Sequence, residues 1–228
     1  LMIGNGLSDP ENMLKYADFL HELGIVDDYE HRQIESMQIK AANLMRNEKW
    51  LAAKDQYDEI YDFVMSSSNI TNIYDYTSDQ TPDFEPPFSK FITRDDIRRI
   101  IHVGRSPYET CSEKVGDILR EDFLQSVRPW IEVLLKHYPI LFYSGQNDMI
   151  VASTFTVNMI RNLHWSGAAD YYTAEKQIWR VDEVVAGYYK SAANLVYALI
   201  RNVGHMVPSD QPKHALQLID MFVLNKLW

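Results

Sequence analysis

Apolar and polar positions change their period along this chain of 228 residues, and the changes divide it. The opening Leu1-Met2-Ile3 is an apolar triplet stopped by Gly4-Asn5-Gly6, which reads as the end of a buried strand. No leader pattern of charged, apolar and small residues precedes it, so residues 1–9 are expected to close a core strand in a piece of a longer protein. Asp9-Pro10-Glu11 predicts a helix start: a capping side chain, a proline in the first turn and an early acid. Met13, Ala17 and Leu20 continue at helical spacing until Gly24. Asp27 or Asp28 opens a second helix with Ile34, Met37, Ala41, Leu44 and Met45 on one face. A third runs from about Trp50 to Met65 through Tyr57, Ile60, Tyr61 and Val64. Core packing accounts for this stripe of Met and Tyr.

The pattern weakens from Ser66 to Phe88, where Pro82, Pro86 and Pro87 break regular structure and Asn69-Ile70-Thr71 is a glycosylation sequon. Thr93-Arg94-Asp95-Asp96 predicts a capping box before Ile97, Ile100 and Ile101, with Gly104 as the stop. Further helices are expected over 113–120 and 122–137. The last third differs. Ile140-Leu141-Phe142-Tyr143 and Leu195-Val196-Tyr197-Ala198-Leu199-Ile200 are continuous apolar runs, the signature of strands buried on both faces. A helix from about Ala152 to Leu163 follows the first, and an amphipathic helix beginning at Pro212 follows the second. Residues 170–190 read as a hairpin rich in Tyr and Trp. This alternation predicts an α/β fold on a parallel sheet. The block at 10–88 breaks the alternation and reads as a helical insertion capping the sheet, with 89–228 returning to the α/β core.

Composition narrows the function classes. Hydrophobic residues make up 46% and charged residues 24%, which is globular. Lys plus Arg total 22 against 32 acids, a net charge of −10, and the scattered cations give no footprint for nucleic acid. No apolar run reaches the ~18–20 residues a spanning helix needs, so no membrane partner is expected. Cys111 is the single cysteine; its acidic neighbours Glu109 and Glu113 oppose thiolate formation, which favours an inert thiol. His21-Glu22 lacks the second histidine of a zinc-binding HExxH, and no phosphate-binding glycine loop occurs, so no metal or other cofactor is expected.

The remaining chemistry sits in two turns. Asp148 follows the first buried strand and His205 the second, and ligands in parallel sheets gather beyond the carboxyl ends of strands. Adjacent parallel strands bring these turns together. Asp before His completes the order Ser…Asp…His of α/β-hydrolases, in which the imidazole shuttles a proton and the carboxylate holds its tautomer. Each residue alone is more often a turn former or a solvated histidine. No serine here stands in a GxSxG setting, since Gly6-Leu7-Ser8-Asp9-Pro10 and Gly104-Arg105-Ser106-Pro107-Tyr108 both lack the second glycine.

Three stretches are specific to a family. Gly204-His205-Met206-Val207-Pro208-Ser209-Asp210-Gln211-Pro212 resembles the segment around the catalytic histidine of serine carboxypeptidases. Leu141 to Val151 is similar to the strand and turn bearing their aspartate, and Gly4-Asn5-Gly6-Leu7-Ser8-Asp9-Pro10 to a stretch beyond their nucleophile, with the vitellogenic-like members as nearest kin. The resemblance implies an α/β-hydrolase fold whose helical insertion covers the active site. It implies release of single residues from peptide C-termini through an acyl-enzyme, usually at acidic pH. Asp148 and His205 become the triad acid and base, and Met206 and Val151 match pocket-lining positions. Secreted, lysosomal or vacuolar glycoproteins make up the family, so Asn69 becomes a glycosylation candidate, and the reducing compartment that a lone cysteine such as Cys111 usually suggests is not implied. The expected partners are a peptide substrate and an upstream segment carrying the nucleophile and oxyanion loop. An isolated chain is accordingly expected to be inactive and prone to aggregate. An acyltransferase using the same triad and a non-catalytic peptide- or protein-binding fragment are the alternatives.

Overall fold

The computed structural model describes residues 1–80 and 88–226; the breaks expected at Pro82, Pro86 and Pro87 lie outside the described residues. Five strands form one sheet: β1 (Met2–Gly4), β2 (Ile140–Gly145), β3 (Gln177–Val181), β4 (Val184–Ala192) and β5 (Leu195–Ile200). Their spatial order is β1-β2-β5-β4-β3. The first three in that order run parallel, whereas β4 is antiparallel to both β5 and β3. The sheet is therefore mixed, not parallel throughout, because the Tyr-rich hairpin adds itself to the free side of β5.

The two central strands show why unbroken apolar runs belong here. Side chains alternate between faces with a period of two. Ile140 and Phe142 of β2, with Leu195 and Tyr197 of β5, enter one core. Leu141, Val196, Ala198 and Ile200 enter the other. Helix α9 (Ser153–Arg161) sends Phe155, Met159 and Ile160 into the first core, and α12 (Pro212–Val223) sends Ala215, Leu218 and Phe222 into the second. β1 differs from its expectation: Leu1 is 53% and Met2 42% exposed. Its only strand neighbour among the described residues is β2, so one edge lacks cover.

The helical block after β1 begins with α1 (Pro10–Met13) and α2 (Tyr16–Glu22), where the sequence predicts one helix. Met13, Leu14, Tyr16 and Ala17 are all buried, and the chain breaks between the two helices at Leu14 and Lys15. Gln38 Oε1 accepts the Ala17 N–H that the break frees (2.9 Å). Asp9 caps nothing with its side chain. Instead Oδ1 accepts from Ser126 Oγ and Oδ2 from Asn12 Nδ2, both at 2.7 Å, with Arg128 3.7 Å away. Helix α3 (Asp28–Arg46) starts at Asp27 in a full capping box with Glu30. It packs against α4 (Trp50–Ser68), which ends on Asn69 in a left-handed conformation.

Beyond Phe88 come α5 (Ser89–Ile92), α6 (Asp95–Ile100) and α7 (Glu113–Ile118), none with a buried residue. The Thr93 capping box does not form. Thr93 Oγ1 donates back to the Ser89 carbonyl at 2.8 Å, and Asp96 pairs with Arg94, whose guanidinium lowers its carboxyl from the usual range. Ile100, expected on an apolar face, is 68% exposed. The helix expected over 122–137 is confined to α8 (Arg128–Leu134). Pro129 fits a first helical turn, and the Val127 N–H ahead of it is spent on the Ser8 carbonyl at 3.0 Å. Two short helices complete the set among the described residues: α10 (Ala168–Thr173), and α11 (Val207–Asp210) just before α12. Among the described residues no helix is long and apolar enough to cross a membrane.

Candidate active site

The pairing of β2 with β5 sets Gly145 opposite Ile200, so the two following turns leave the sheet side by side. Gln146 N–H donates to the Ile200 carbonyl and Asn147 N–H to that of Val203, each at 2.9 Å, locking one turn to the other. Gly145 is required by this closeness: a Cβ there would lie 1.9 Å from the Gly204 carbonyl oxygen. Gly204 is required likewise, since its Cβ would meet the Tyr74 carbonyl oxygen at 1.8 Å. The sequence suggests a tight turn at Gly204; the reason is instead the approach of a third backbone segment.

That segment follows the long helix α4. Tyr74 O accepts the His205 N–H at 2.6 Å, and Ile73 O accepts the N–H groups of Met149 (3.1 Å) and Ile150 (3.2 Å). Tyr76 N–H donates to Asn147 O at 3.1 Å. From α2, the Tyr16 hydroxyl donates to Ile150 O at 2.7 Å. Residues 73–76 thus lie across both turns like a belt.

Asp148 and His205 meet beneath it. Asp148 is fully buried, and its Oδ2 lies 2.8 Å from His205 Nδ1. A carboxylate only accepts, so Nδ1 carries the proton and Nε2 is left as the basic nitrogen. Asn5 Nδ2 donates to the same Oδ2 at 2.5 Å, and Val151 N–H donates to Oδ1 at 3.1 Å. A buried carboxylate needs such donors to stay ionised. The His205 side chain is 26% exposed, its ring tilts against Tyr74 with centroids 5.6 Å apart, and Nε2 has no hydrogen-bond partner among the described residues. Phenols around the pair are held neutral. Burial raises Tyr16, with Tyr57 and Asp148 adding to it, and burial also raises Tyr74, assisted by Cys111 and Asp148. Burial and then Asp75 raise the Asp210 carboxyl just beyond the histidine turn.

Of the residues singled out in sequence, Asp148 and His205 come together, and Val151 supports Asp148 through its backbone while its side chain enters the core. Met206 adjoins His205 and is 46% exposed. Asn69 is exposed at the end of α4, and Cys111 is exposed before α7. Sequence reasoning treated Asn5 as a turn former and missed its bond to Asp148. The signal available was an asparagine, a residue tolerant of positive φ, directly after a strand; here φ is 47°.

Residues 1–225 match the family model described as serine carboxypeptidase. The chain belongs to the serine carboxypeptidase family. Within it, the chain is 39% identical to the venom serine carboxypeptidase of Apis mellifera, over 99% of its own residues and 50% of the relative's. It is 34% identical to the vitellogenic carboxypeptidase of Aedes aegypti, covering 97% of this chain and 49% of that protein. It is 33% identical to the probable serine carboxypeptidase CPVL of Homo sapiens, covering 100% and 50%. The chain thus spans about half the length of these curated relatives. Its fold is that of the crystal structure of Kex1, a prohormone-processing carboxypeptidase from Saccharomyces cerevisiae, with a TM-score of 0.77 at 20% identity, covering 99% of this chain and 54% of that one. As a member of this family, the chain has the expected α/β-hydrolase fold, with its mixed sheet contributing five strands among the described residues.

Proposed function

We propose that Asp148 and His205 are the acid and base of a Ser-His-Asp triad, in a carboxypeptidase that releases C-terminal amino acids from peptides through an acyl-enzyme. The observation that carries this is the 2.8 Å contact between His205 Nδ1 and a buried Asp148 carboxylate, with the opposite ring edge uncommitted. The serine comes from residues outside these 228, because no serine in the sequence has a nucleophile setting and the relatives are about twice as long. In the reaction His205 Nε2 takes the serine proton as Oγ bonds to the scissile carbonyl carbon. It returns that proton to the departing amine as the C–N bond breaks, then activates water against the ester. Asp148 stays ionised throughout and offsets the positive imidazolium. Asn5 and the Val151 amide hold the carboxylate in place, and Met206 and Val151 mark the side from which the pocket for the departing residue is built.

The helical block at 10–88 serves as the cap over this site, and residues 89–228 return to the hydrolase core. The partner of the exposed β1 edge is the segment that brings the nucleophile. A secretory route fits the exposed sequon at Asn69 and the venom origin in the bee relative's name. Labelling with a fluorophosphonate tests the triad. The natural-length protein is expected to label and its His205→Ala form not to, while the 228-residue chain alone neither labels nor cleaves a blocked dipeptide at acidic pH. Labelling that survives His205→Ala would overturn the assignment; a natural-length protein that never labels would favour the non-catalytic binding reading.

A further inference from the structure

A cavity lies on the α9–α10 side of the sheet, and no residue of the two turns lines it. It encloses about 690 Å³ between α9, α10 and residues of β4 and β5. That is within the usual ~300–1,000 Å³ of small-molecule sites, which pair apolar walls with few polar groups. Trp165, Tyr171, Tyr188 and Tyr197 supply aromatic walls, and Arg161, Lys176 and Lys190 supply the only charges among the lining residues. Three cations without a carboxylate stand out in a chain of net charge −10.

Ring faces hold two of these cations in place. Lys176 Nζ stands 4.6 Å from the Tyr188 centroid and Lys190 Nζ 5.2 Å from that of Tyr171. Cation–π contact places an ammonium without neutralising it. Lys190 also donates to the Tyr172 carbonyl at 2.8 Å, and none of the three cations forms an ion pair among the described residues. The Tyr171 hydroxyl has no protein hydrogen-bond partner there either, and burial keeps it protonated, hence a donor. An amino acid or peptide terminus is a poor fit, because its ammonium would find no acid on these walls.

We propose that this cavity binds a free amphipathic carboxylate of the fatty-acid type, its hydrocarbon against the aromatic walls and its carboxylate between Lys176, Lys190 and Arg161. The assignment does not depend on the triad. Calorimetric titration of the natural-length protein with monomeric dodecanoate tests it, with dodecanol and dodecyltrimethylammonium as chain-matched probes. One site is expected, with dodecanoate at least about tenfold tighter than either probe, a tenfold ratio being ~1.4 kcal/mol. Arg161 and Lys176 are exposed, so the double variant Arg161→Gln, Lys176→Gln should fold. It should weaken dodecanoate about tenfold and leave dodecanol unchanged. Ala168→Phe, which fills the cavity, should abolish binding. Absence of saturable binding, equal affinity for the cationic probe, an unchanged double variant, or binding only to anionic lipid vesicles would each overturn the proposal.

Discussion

The turns bearing Asp148 and His205 and the segment from Phe88 to Leu119 are both stretches of non-strand chain, yet among the described residues they are held in opposite ways. Ties at the turns are long-range: His205 to Asp148 spans 57 residues and Asn5 to Asp148 spans 143. Ties in the other segment are local, such as Thr93 to Ser89 across 4 residues and Arg98 to Ser106 across 8. Helices α5, α6 and α7 bury nothing, whereas α4 alone buries Ala53, Gln56, Tyr57, Ile60 and Val64. Local bonds shape a loop without fixing it to the body of the protein. A catalytic pair requires the long-range kind of anchoring, since a displacement of ~1 Å can cost about a hundredfold in rate.

This contrast can be broken at its strongest point first. In the natural-length protein, Asp148→Asn should lower kcat by about four orders of magnitude through the wrong histidine tautomer. Arg98→Ala, in the locally tied segment, should leave the rate within about twofold; comparable losses from both, in a steady-state assay on a blocked dipeptide, would erase the distinction. Core truncation comes next. Ile60→Ala should cost ~2–5 kcal/mol, and Ile118→Ala, 70% exposed, less than about 0.5 kcal/mol, as read from urea midpoints. Asn5→Ala removes a hydrogen bond to a charged group, worth ~1.5–3 kcal/mol. It should therefore lower kcat about tenfold to a hundredfold with little change in KM. Asn5→Asp should be worse, because it sets a second negative charge against Asp148.

The smallest effect is a matter of alkaline pH. Burial pushes the Tyr197 phenol from 10.0 up to about 12 in the folded protein. Its stabilising effect is complete below pH 10 and fades as pH climbs through 12, because the unfolded chain gives up that proton first. The loss is on the order of 2 kcal/mol. Tyr197→Phe should flatten this part of the pH–stability curve, and a wild-type decline that persists in the variant would assign it to other groups.

The strands and the meeting of Asp148 with His205 were legible because they rest on unbroken apolar runs and on which strands neighbour each other. The mixed sense of the sheet was not, since a hairpin pattern does not say which edge it joins. The break at Leu14 carries neither glycine nor proline, so no residue type announces it. Residues 122–127 look helical because Phe123 and Leu124 are apolar, but Leu124 reaches the core from a turn. The belt at 73–76 acts through backbone carbonyl and N–H groups, which carry no side-chain identity, so no side-chain pattern announces it. Asn5 escaped notice for a related reason: its partner lies 143 positions away, in the turn after a strand whose adjacency to β1 had to be known first.

The belt has a bearing on how such proteins diversify. Because the Tyr74 carbonyl holds the backbone of His205 itself, whatever reshapes the end of the helical block also perturbs the Asp148–His205 pair. Transplanting a foreign helical block onto this scaffold would therefore succeed only if the graft stops short of Ile73. New specificities are open to the helices before that point, and closed to the four residues that follow.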